Sequence, residues 1–229
     1  RNGMIITIDG PTASGKSSAA AALAKRLGFY YLSTGFLYRS LTYLLLNVRG
    51  YSPDDLYDVK QQDIDACGNP AWFTYTYDAA TGYAIIYKGL NITPFLKDSL
   101  IDTYVAVISP QKLVREAMVA QQRFLAAQHD IVVDGRDVGS HVFPHADYKF
   151  YLTALLTVRA ARWQKDQQKR GHSFTLQECQ ERVHTRDRSD EERKISPLVI
   201  PVGAVVIDNS ELSLPETVEK MMTYIEVEK

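Results

Sequence analysis

Near the start of the 229-residue chain, Gly10-Pro11-Thr12-Ala13-Ser14-Gly15-Lys16-Ser17 follows the apolar, β-branched run Ile5-Ile6-Thr7-Ile8 and opens the Ala-rich stretch Lys16 to Leu27. A glycine-bounded loop ending in Lys-Ser, set between a strand and a helix N-terminus, is the phosphate-binding loop pattern. Its glycines let successive backbone N–H groups turn inward around an anion, and the helix end adds partial positive charge at the same place. In this pattern Lys16 bridges the terminal phosphates of a nucleoside triphosphate and the Ser17 hydroxyl ligates magnesium, with Ser18 completing the donor cradle. A plain Gly-rich turn capping a helix is the alternative, and the correct strand and helix flanks argue against it. The motif speaks for NTP binding without saying what is done with the nucleotide.

Such a loop sits at the end of a parallel strand, and the chain around it reads accordingly. Gly28 ends the first helix, Phe29-Tyr30-Tyr31-Leu32 is a second strand, and Ser33-Thr34 caps a helix running to about Val48. Ser52-Pro53-Asp54-Asp55, with a capping serine, a first-turn proline and acids at the positive helix end, predicts a helix stopping near Cys67-Gly68. The texture changes at Ala71 to Ile92, rich in Trp, Tyr, Phe and Thr, where Asp78-Ala79-Ala80-Thr81-Gly82 divides two strand-like runs. This predicts an inserted antiparallel hairpin region over about residues 69–98. Helices are expected at Leu100 to Ile108 and Pro110 to Gln128, the second capped by Ser109. Buried strands follow at Ile131 to Asp134 and Lys149 to Leu152, then a charged helix from Val158 to Arg170, a last strand at Ala204 to Asp208, and a final helix over about Pro215 to Val227. The fold class is therefore α/β. The expectation is one phosphate-loop domain over residues 1–229, a doubly wound five-stranded parallel sheet carrying the antiparallel insertion and a helical lid at about residues 159–197, its excursion running from Gly171 to Pro201.

With 45% hydrophobic residues the chain can bury a sizeable core, and a net charge of -1 gives no global basic field for nucleic acid. The locally basic stretch Arg159 to Lys194 interleaves only Trp163 and Phe174, a poor pattern for single-stranded nucleic acid. Apolar runs such as Leu41 to Leu46 fall well short of the roughly 20 residues a membrane helix needs. Cys67 and Cys179 stand apart without a Cys-x-x-Cys or histidine cluster, so both are expected as free thiols. Together these features predict a cytoplasmic monomer that binds small-molecule nucleotides, with neither nucleic acid nor membrane as partner.

Three segments distinguish a kinase from other phosphate-loop proteins. In Ser33-Thr34-Gly35-Phe36-Leu37-Tyr38-Arg39 one helical turn separates Gly35 from Arg39, so the hydroxyl of Thr34, the ring of Tyr38 and the guanidinium of Arg39 can converge on a small acceptor at a strand end. In Asp134-Gly135-Arg136-Asp137 an arginine able to grip a phosphate bidentately precedes a carboxylate able to accept from an exocyclic amine. The run Arg186-Asp187-Arg188-Ser189-Asp190-Glu191-Glu192-Arg193 would, on a segment folding over the site, neutralise the transferring phosphoryl group and exclude water. Each has a bland reading as a helix cap, a loop or a solvated face.

Taken together, Ile8-Asp-Gly-Pro with the phosphate loop, Thr34-Gly-Phe-Leu-Tyr-Arg39, Val114-Arg115-Glu116, Asp134-Gly-Arg-Asp137, Val142-Phe143-Pro144 and Ser196-Pro197-Leu198 resemble the bacterial cytidylate kinases in order and spacing over nearly the whole chain. The resemblance implies ATP as phosphoryl donor with Mg2+, and CMP or dCMP as acceptor. It implies that Arg39, Arg136 and Arg193 hold the acceptor phosphate, that Arg115 and Asp137 read the cytosine, and that Arg186 and Asp190 contact the sugar. Lys16, Arg136, Arg186 and Arg193 would carry the catalytic charge. Arg159, Arg162 and Arg170 match basic positions at the start of the lid, where some face ATP phosphates, and the hairpin would be an extra acceptor-binding element. This chain departs from the family pattern at Ala106, where a nucleoside-recognising serine is common, at Ser33 in place of a frequent aspartate, and at Arg188-Ser189. A kinase for UMP, AMP or dephospho-coenzyme A remains the rival enzyme reading. A nucleotide switch remains the rival of another class, although the chain lacks an Asn-Lys-x-Asp guanine reader.

Overall fold

The computed structural model describes residues 3–225. Five parallel strands form the main sheet: β1 (Ile5–Asp9), β2 (Tyr30–Ser33), β6 (Ile131–Gly135), β7 (Tyr148–Thr153) and β8 (Val205–Asp208). They lie in the order β2-β6-β1-β7-β8. Parallel strands need crossover connections, and these place α1 (Lys16–Leu27) and α8 (Leu214–Met222) on one face of the sheet and α2 (Thr34–Asn47) and α5 (Lys112–Ala126) on the other. Ala19, Ala20, Leu23 and Ala24 of α1 recur at helical spacing and bury against Ile6, Ile8 and Phe150. On the opposite face Leu37, Leu41, Leu44 and Leu45 of α2 pack over Leu32 and Val133. β1 is thus covered on both faces and flanked by β6 and β7, which places the loop leaving its C-terminal end in the crevice where such sheets bind ligands.

The expected insertion is an antiparallel sheet of β3 (Phe73–Asp78), β4 (Gly82–Tyr87) and the short β5 (Leu90–Asn91). The Asp78 carboxylate accepts from the N–H groups of Ala80 and Thr81, closing the turn read from the sequence. Along β3, Phe73 and Tyr75 are buried while Thr74 and Thr76 are exposed, the period of a half-buried strand. The Tyr75 hydroxyl donates to the Tyr31 carbonyl at 3.2 Å and the Tyr30 hydroxyl to the Tyr75 carbonyl at 2.9 Å, docking the small sheet on β2.

Two boundaries differ from the sequence reading. Ser52-Pro53-Asp54-Asp55 opens only a 3-10 turn, Asp55–Asp58, and the helix proper is α3 (Gln61–Cys67). The Gln111 side chain accepts from the Val59 N–H at 3.1 Å and donates to the Leu56 carbonyl at 2.6 Å, satisfying backbone groups that a continuous helix would have used. Ser109 does not cap α5. It closes α4 (Ser99–Ile108), its N–H donating to the Val105 carbonyl, and Gln111 takes the N-cap position of α5. The last helix spans Leu214–Met222 and is capped by Thr223, so it stops short of the expected end over Thr223 to Ile225, and only the final part of the expected extension, to Val227, lies outside the described residues.

The segment expected as a lid is a helical hairpin of α6 (Leu156–Lys169) and α7 (Leu176–Glu192), joined through Gly171. A capping box between Thr175 and Glu178 starts α7, and Arg182 stacks over Phe174, itself against Trp163. Cys67 and Cys179 are both buried and free. Among the described residues no helix is long and apolar enough to cross a membrane.

Candidate active site

Gly15 is the N-cap of α1 at φ 86°, a left-handed conformation that glycine adopts without strain, so the loop can turn its N–H groups toward the helix axis. Beside it the Ser14 hydroxyl is buried without a hydrogen-bond partner among the described residues. Lys16 is buried too, its Nζ donating to the Pro11 carbonyl at 3.0 Å. Burial, and then the nearby Arg136 guanidinium, holds its pKa well below the usual lysine value. A cation kept in such a place with no carboxylate in ion-pair contact among the described residues fits a site built to receive an anion. Ser17, exposed at the helix start, donates from Oγ to Asp134 Oδ2 at 2.6 Å, and the other oxygen of Asp134 accepts from the Tyr31 hydroxyl.

The loop opens into a cavity of about 1050 Å³, large for a single small ligand. Every residue expected on the acceptor side, from Thr34 on α2 to Arg193 beyond α7, lines it. On the donor side Thr12, Ala13, Gly15, Lys16, Ser17, Ser18 and Arg162 line it too, whereas Gly10, Pro11, Ser14 and Arg159 stand behind the wall. Gly135 makes the junction of β6 and α2 possible: a Cβ there would meet Val138 Cγ2 at 2.4 Å and Thr34 Oγ1 at 2.7 Å.

Past Gly135 the chain carries two opposed charges into the cavity. Arg136 donates from Nε to Asp190 Oδ2 at 2.8 Å. Asp137 contacts two guanidiniums, that of Arg115 on α5 and that of Arg193, whose Nη2 stands at 3.3 Å. Burial pushes the Asp137 carboxyl above its usual range, while Arg115 and Arg193 oppose the rise. Next to this group the Tyr38 hydroxyl and Arg115 Nε are both buried without hydrogen-bond partners among the described residues, and the guanidinium lies 5.9 Å from the Tyr38 ring centroid. Buried polar atoms are seldom left unpaired, so donors and acceptors gathered around an open volume mark it as ligand space. Ala106 on α4 leaves the wall without the hydroxyl of the family pattern, and Ser109, also on the cavity, offers one further along the chain.

Arg186 has no ion-pair partner among the described residues and remains open to the cleft. The surrounding protein, then the guanidiniums of Arg136 and Arg39, draws its pKa down to about 10. Like charges gathered this closely repel one another unless an anion lies between them. Arg159 and Arg162 of α6 turn to the phosphate loop: Arg159 donates to the Thr12 carbonyl at 3.0 Å, and Arg162 to the side chain and carbonyl of Asn209, both at 2.9 Å.

Two carboxylates that hold these groups in place lie inside motifs of the sequence reading but receive no role there. Asp187 is buried on α7, accepts from the Thr12 N–H at 2.8 Å and pairs with Arg159. Helical spacing could have found it, because Cys179, Val183 and Asp187 recur every four residues and form the buried face of α7. Asp9, at the end of β1, accepts from the N–H groups of Val138 and Gly139 and so fixes the loop that carries Arg136 and Asp137. Burial pushes its carboxyl up to about 6 against those two hydrogen bonds. Asn209 donates to the Ser14 carbonyl from the far side of the phosphate loop.

Comparison with known proteins agrees with this geometry. The cytidylate kinase family model matches residues 6–227. The cytidylate kinase of Chlamydia muridarum is 37% identical over 222 residues, covering 97% of this chain and 98% of the relative. That of Geobacillus sp. (strain WCH70) is 34% identical over 225 residues, covering 98% and 97%. In fold alone, a crystal structure of an uncharacterized protein from Eubacterium ventriosum superposes with a TM-score of 0.51 at 9% identity, over 98% of this chain and 99% of that one. With the phosphate loop and the arginine-lined cavity on one sheet edge and a match running almost end to end, the chain belongs to the cytidylate kinase family.

Proposed function

We propose that the protein transfers the γ-phosphoryl group of ATP to the phosphate of CMP, and also of dCMP, giving ADP and the nucleoside diphosphate. The observation that carries this reading is the sharing of one cavity by the phosphate loop and the arginines Arg39, Arg136, Arg186 and Arg193. A nucleotide switch would have no use for the second set. The acceptor's phosphate oxygen attacks the γ-phosphorus as the bond to the ADP oxygen breaks, so the protein has to align two anions and neutralise their charge. Lys16 and the loop N–H groups serve the donor phosphates, Arg39, Arg136 and Arg193 the acceptor phosphate, and Arg186 lies close enough to Arg136 to act on the transferring group. Asp137 and Arg115 suit the amine and the acceptor face of cytosine.

The donor set fits magnesium: the Ser17 hydroxyl donates its hydrogen bond to Asp134, which leaves oxygen lone pairs for a hard cation with the Asp134 carboxylate behind them. When bound, the ion neutralises phosphate charge and orients the terminal phosphates. Binding of both nucleotides within one chain fits a monomer, and ATP as donor fits the cytoplasm. Of about residues 69–98 only Lys97 lines the cavity, so the small antiparallel sheet would support the acceptor side from behind, through its dock on β2, while residues 159–197 serve as the lid that keeps water from the phosphoryl group.

The decisive test offers CMP, dCMP, UMP and AMP with ATP and magnesium in a coupled ADP-release assay. Efficient use of CMP and dCMP is expected. ADP release that does not depend on any monophosphate would sink the kinase reading, and a preference for AMP would move it to another acceptor.

The lid reading has its own consequence. Arg186 stands near Arg136 and Arg39, whose own pairs with Asp190 and Asp102 offset only part of the repulsion, so amides over residues 171–201 are expected to exchange hydrogen faster in the nucleotide-free protein than with both nucleotides bound. Equal exchange in the two states, followed by mass spectrometry, would rule out a mobile lid.

A further inference from the structure

Asp102, in α4, belongs to none of the motifs that mark the site. Its carboxylate nevertheless joins two arginines from different walls of the cavity. Oδ1 accepts from Nε of Arg39 at 3.0 Å and from its Nη2 at 2.6 Å. Oδ2 accepts from Nη1 of Arg170 at 2.8 Å. Arg39 rises from α2 on the acceptor wall, whereas Arg170 is the C-cap of α6 at the root of the lid, and all three side chains line the same cavity. The other Nη of Arg170 reaches Asp166 one turn back along α6, also at 2.8 Å. Arg39 thus presents its Nε edge to Asp102, and Nη1 keeps only a 3.4 Å contact with the Gly35 carbonyl. That leaves the terminal edge of the guanidinium for an incoming anion.

We propose that Asp102 is a positioning residue for acceptor binding, which aligns Arg39 and Arg170 before the acceptor phosphate arrives and assigns Arg170 to the acceptor rather than to ATP. The inference rests on the reading of Arg39 as a ligand of the acceptor phosphate. Arginine loses several rotatable bonds' worth of freedom when a ligand immobilises it, and a side chain already ordered by its own protein spares the ligand about two- to tenfold in affinity. A carboxylate that orders two such side chains at once stiffens both sides of the acceptor subsite. Because Asp102 spans α4 and the end of α6, it also links the acceptor wall to the lid.

The test compares Asp102→Asn, Asp102→Glu, Arg170→Met, Arg39→Ala and the Asp102→Asn/Arg170→Met pair. The readouts are kcat, KM for CMP and for ATP, and CMP affinity by calorimetry without ATP. Asp102→Asn is expected to raise KM and Kd for CMP about tenfold, with kcat and the KM for ATP within about twofold of wild type. Asp102→Glu, which keeps the charge, recovers part of the loss. In the Asp102→Asn background, Arg170→Met adds less than it does alone, because the two side chains act as one unit. An unchanged or lower KM for CMP in Asp102→Asn would overturn the proposal, as would a parallel loss in kcat and ATP binding, the mark of general loosening. Should Arg39→Ala leave CMP binding intact, the acceptor-phosphate reading itself fails. An effect of Arg39→Ala without one of Asp102→Asn removes the positioning role alone.

Discussion

Replacing Lys16 by alanine is expected to lower kcat about 100- to 1000-fold, the range for removal of a single preorganised group aimed at developing charge. The size follows from where the ammonium sits. It is buried at the head of α1, its visible hydrogen bond goes to the Pro11 carbonyl, and its pKa is already depressed by burial and by Arg136. Among the described residues no carboxylate forms an ion pair with it, so it is poised for the anion that enters the loop. Loss of one hydrogen bond to a carbonyl costs about 0.5–1.5 kcal/mol of stability, a small part of what a domain of this size holds. The thermal melting curve of Lys16→Ala should therefore stay cooperative and close to wild type. Lys16→Met, which keeps the buried stem and removes only the charge, should lose turnover to the same extent. A folded variant of either kind with near-normal kcat would show that Lys16 is a packing residue and would remove the phosphate-loop assignment.

Base choice should fall almost as sharply when Asp137 is changed. Its carboxylate already meets Arg115 and Arg193, and beside it Arg115 Nε and the Tyr38 hydroxyl are buried without hydrogen-bond partners among the described residues. Cytosine brings an exocyclic amine that can donate to Asp137 and ring acceptors that can take the free Arg115 hydrogen. Uracil puts a carbonyl against the carboxylate with no proton between them. Leaving a buried polar group unpaired costs about 1–3 kcal/mol, or about ten- to hundredfold in kcat/KM. Wild type should prefer CMP over UMP by that margin. Asp137→Ala should erase most of the preference by weakening CMP, and Asp137→Asn, with its own amide donor, should improve UMP relative to CMP. Arg39→Ala should weaken both nucleotides alike, because a phosphate contact does not read the base. The measurement is kcat/KM for both acceptors in all four proteins. Equal use of CMP and UMP by wild type, or full discrimination by Asp137→Ala, would point to a different base reader.

Much of this molecule was legible before any coordinate. The phosphate loop, the strand ahead of it and the helix behind it are one contiguous segment, and the alternation along β3 and the Asp78 turn are equally local. Patterns of that kind report burial with period 2 or 3.6, so a chain displays them wherever its own neighbours decide the outcome. The segments Thr34 to Arg39 and Asp134 to Asp137 stand out for a different reason, since they lie at strand ends, where a parallel sheet gathers its ligands, whereas the roles of Arg115, Arg186, Asp190 and Arg193, on or just past helices, follow from the family resemblance. What the chain could not display is which distant group each of them meets. Gln111 ends one helix early by bonding Leu56 and Val59 more than fifty residues away, and no local propensity at Ser52-Pro53-Asp54-Asp55 foretells it. Asp187 reaches back to the Thr12 N–H, Asp9 forward to Val138 and Gly139, and Asp102 to Arg39 and Arg170. Nothing in the local sequence around any of these acids says which group it meets. Its partner is chosen only when the strand order β2-β6-β1-β7-β8 and the packing of α4, α6 and α7 around the cavity set the two groups within 3 Å of each other, in an interior where an unpaired charge is too costly to keep.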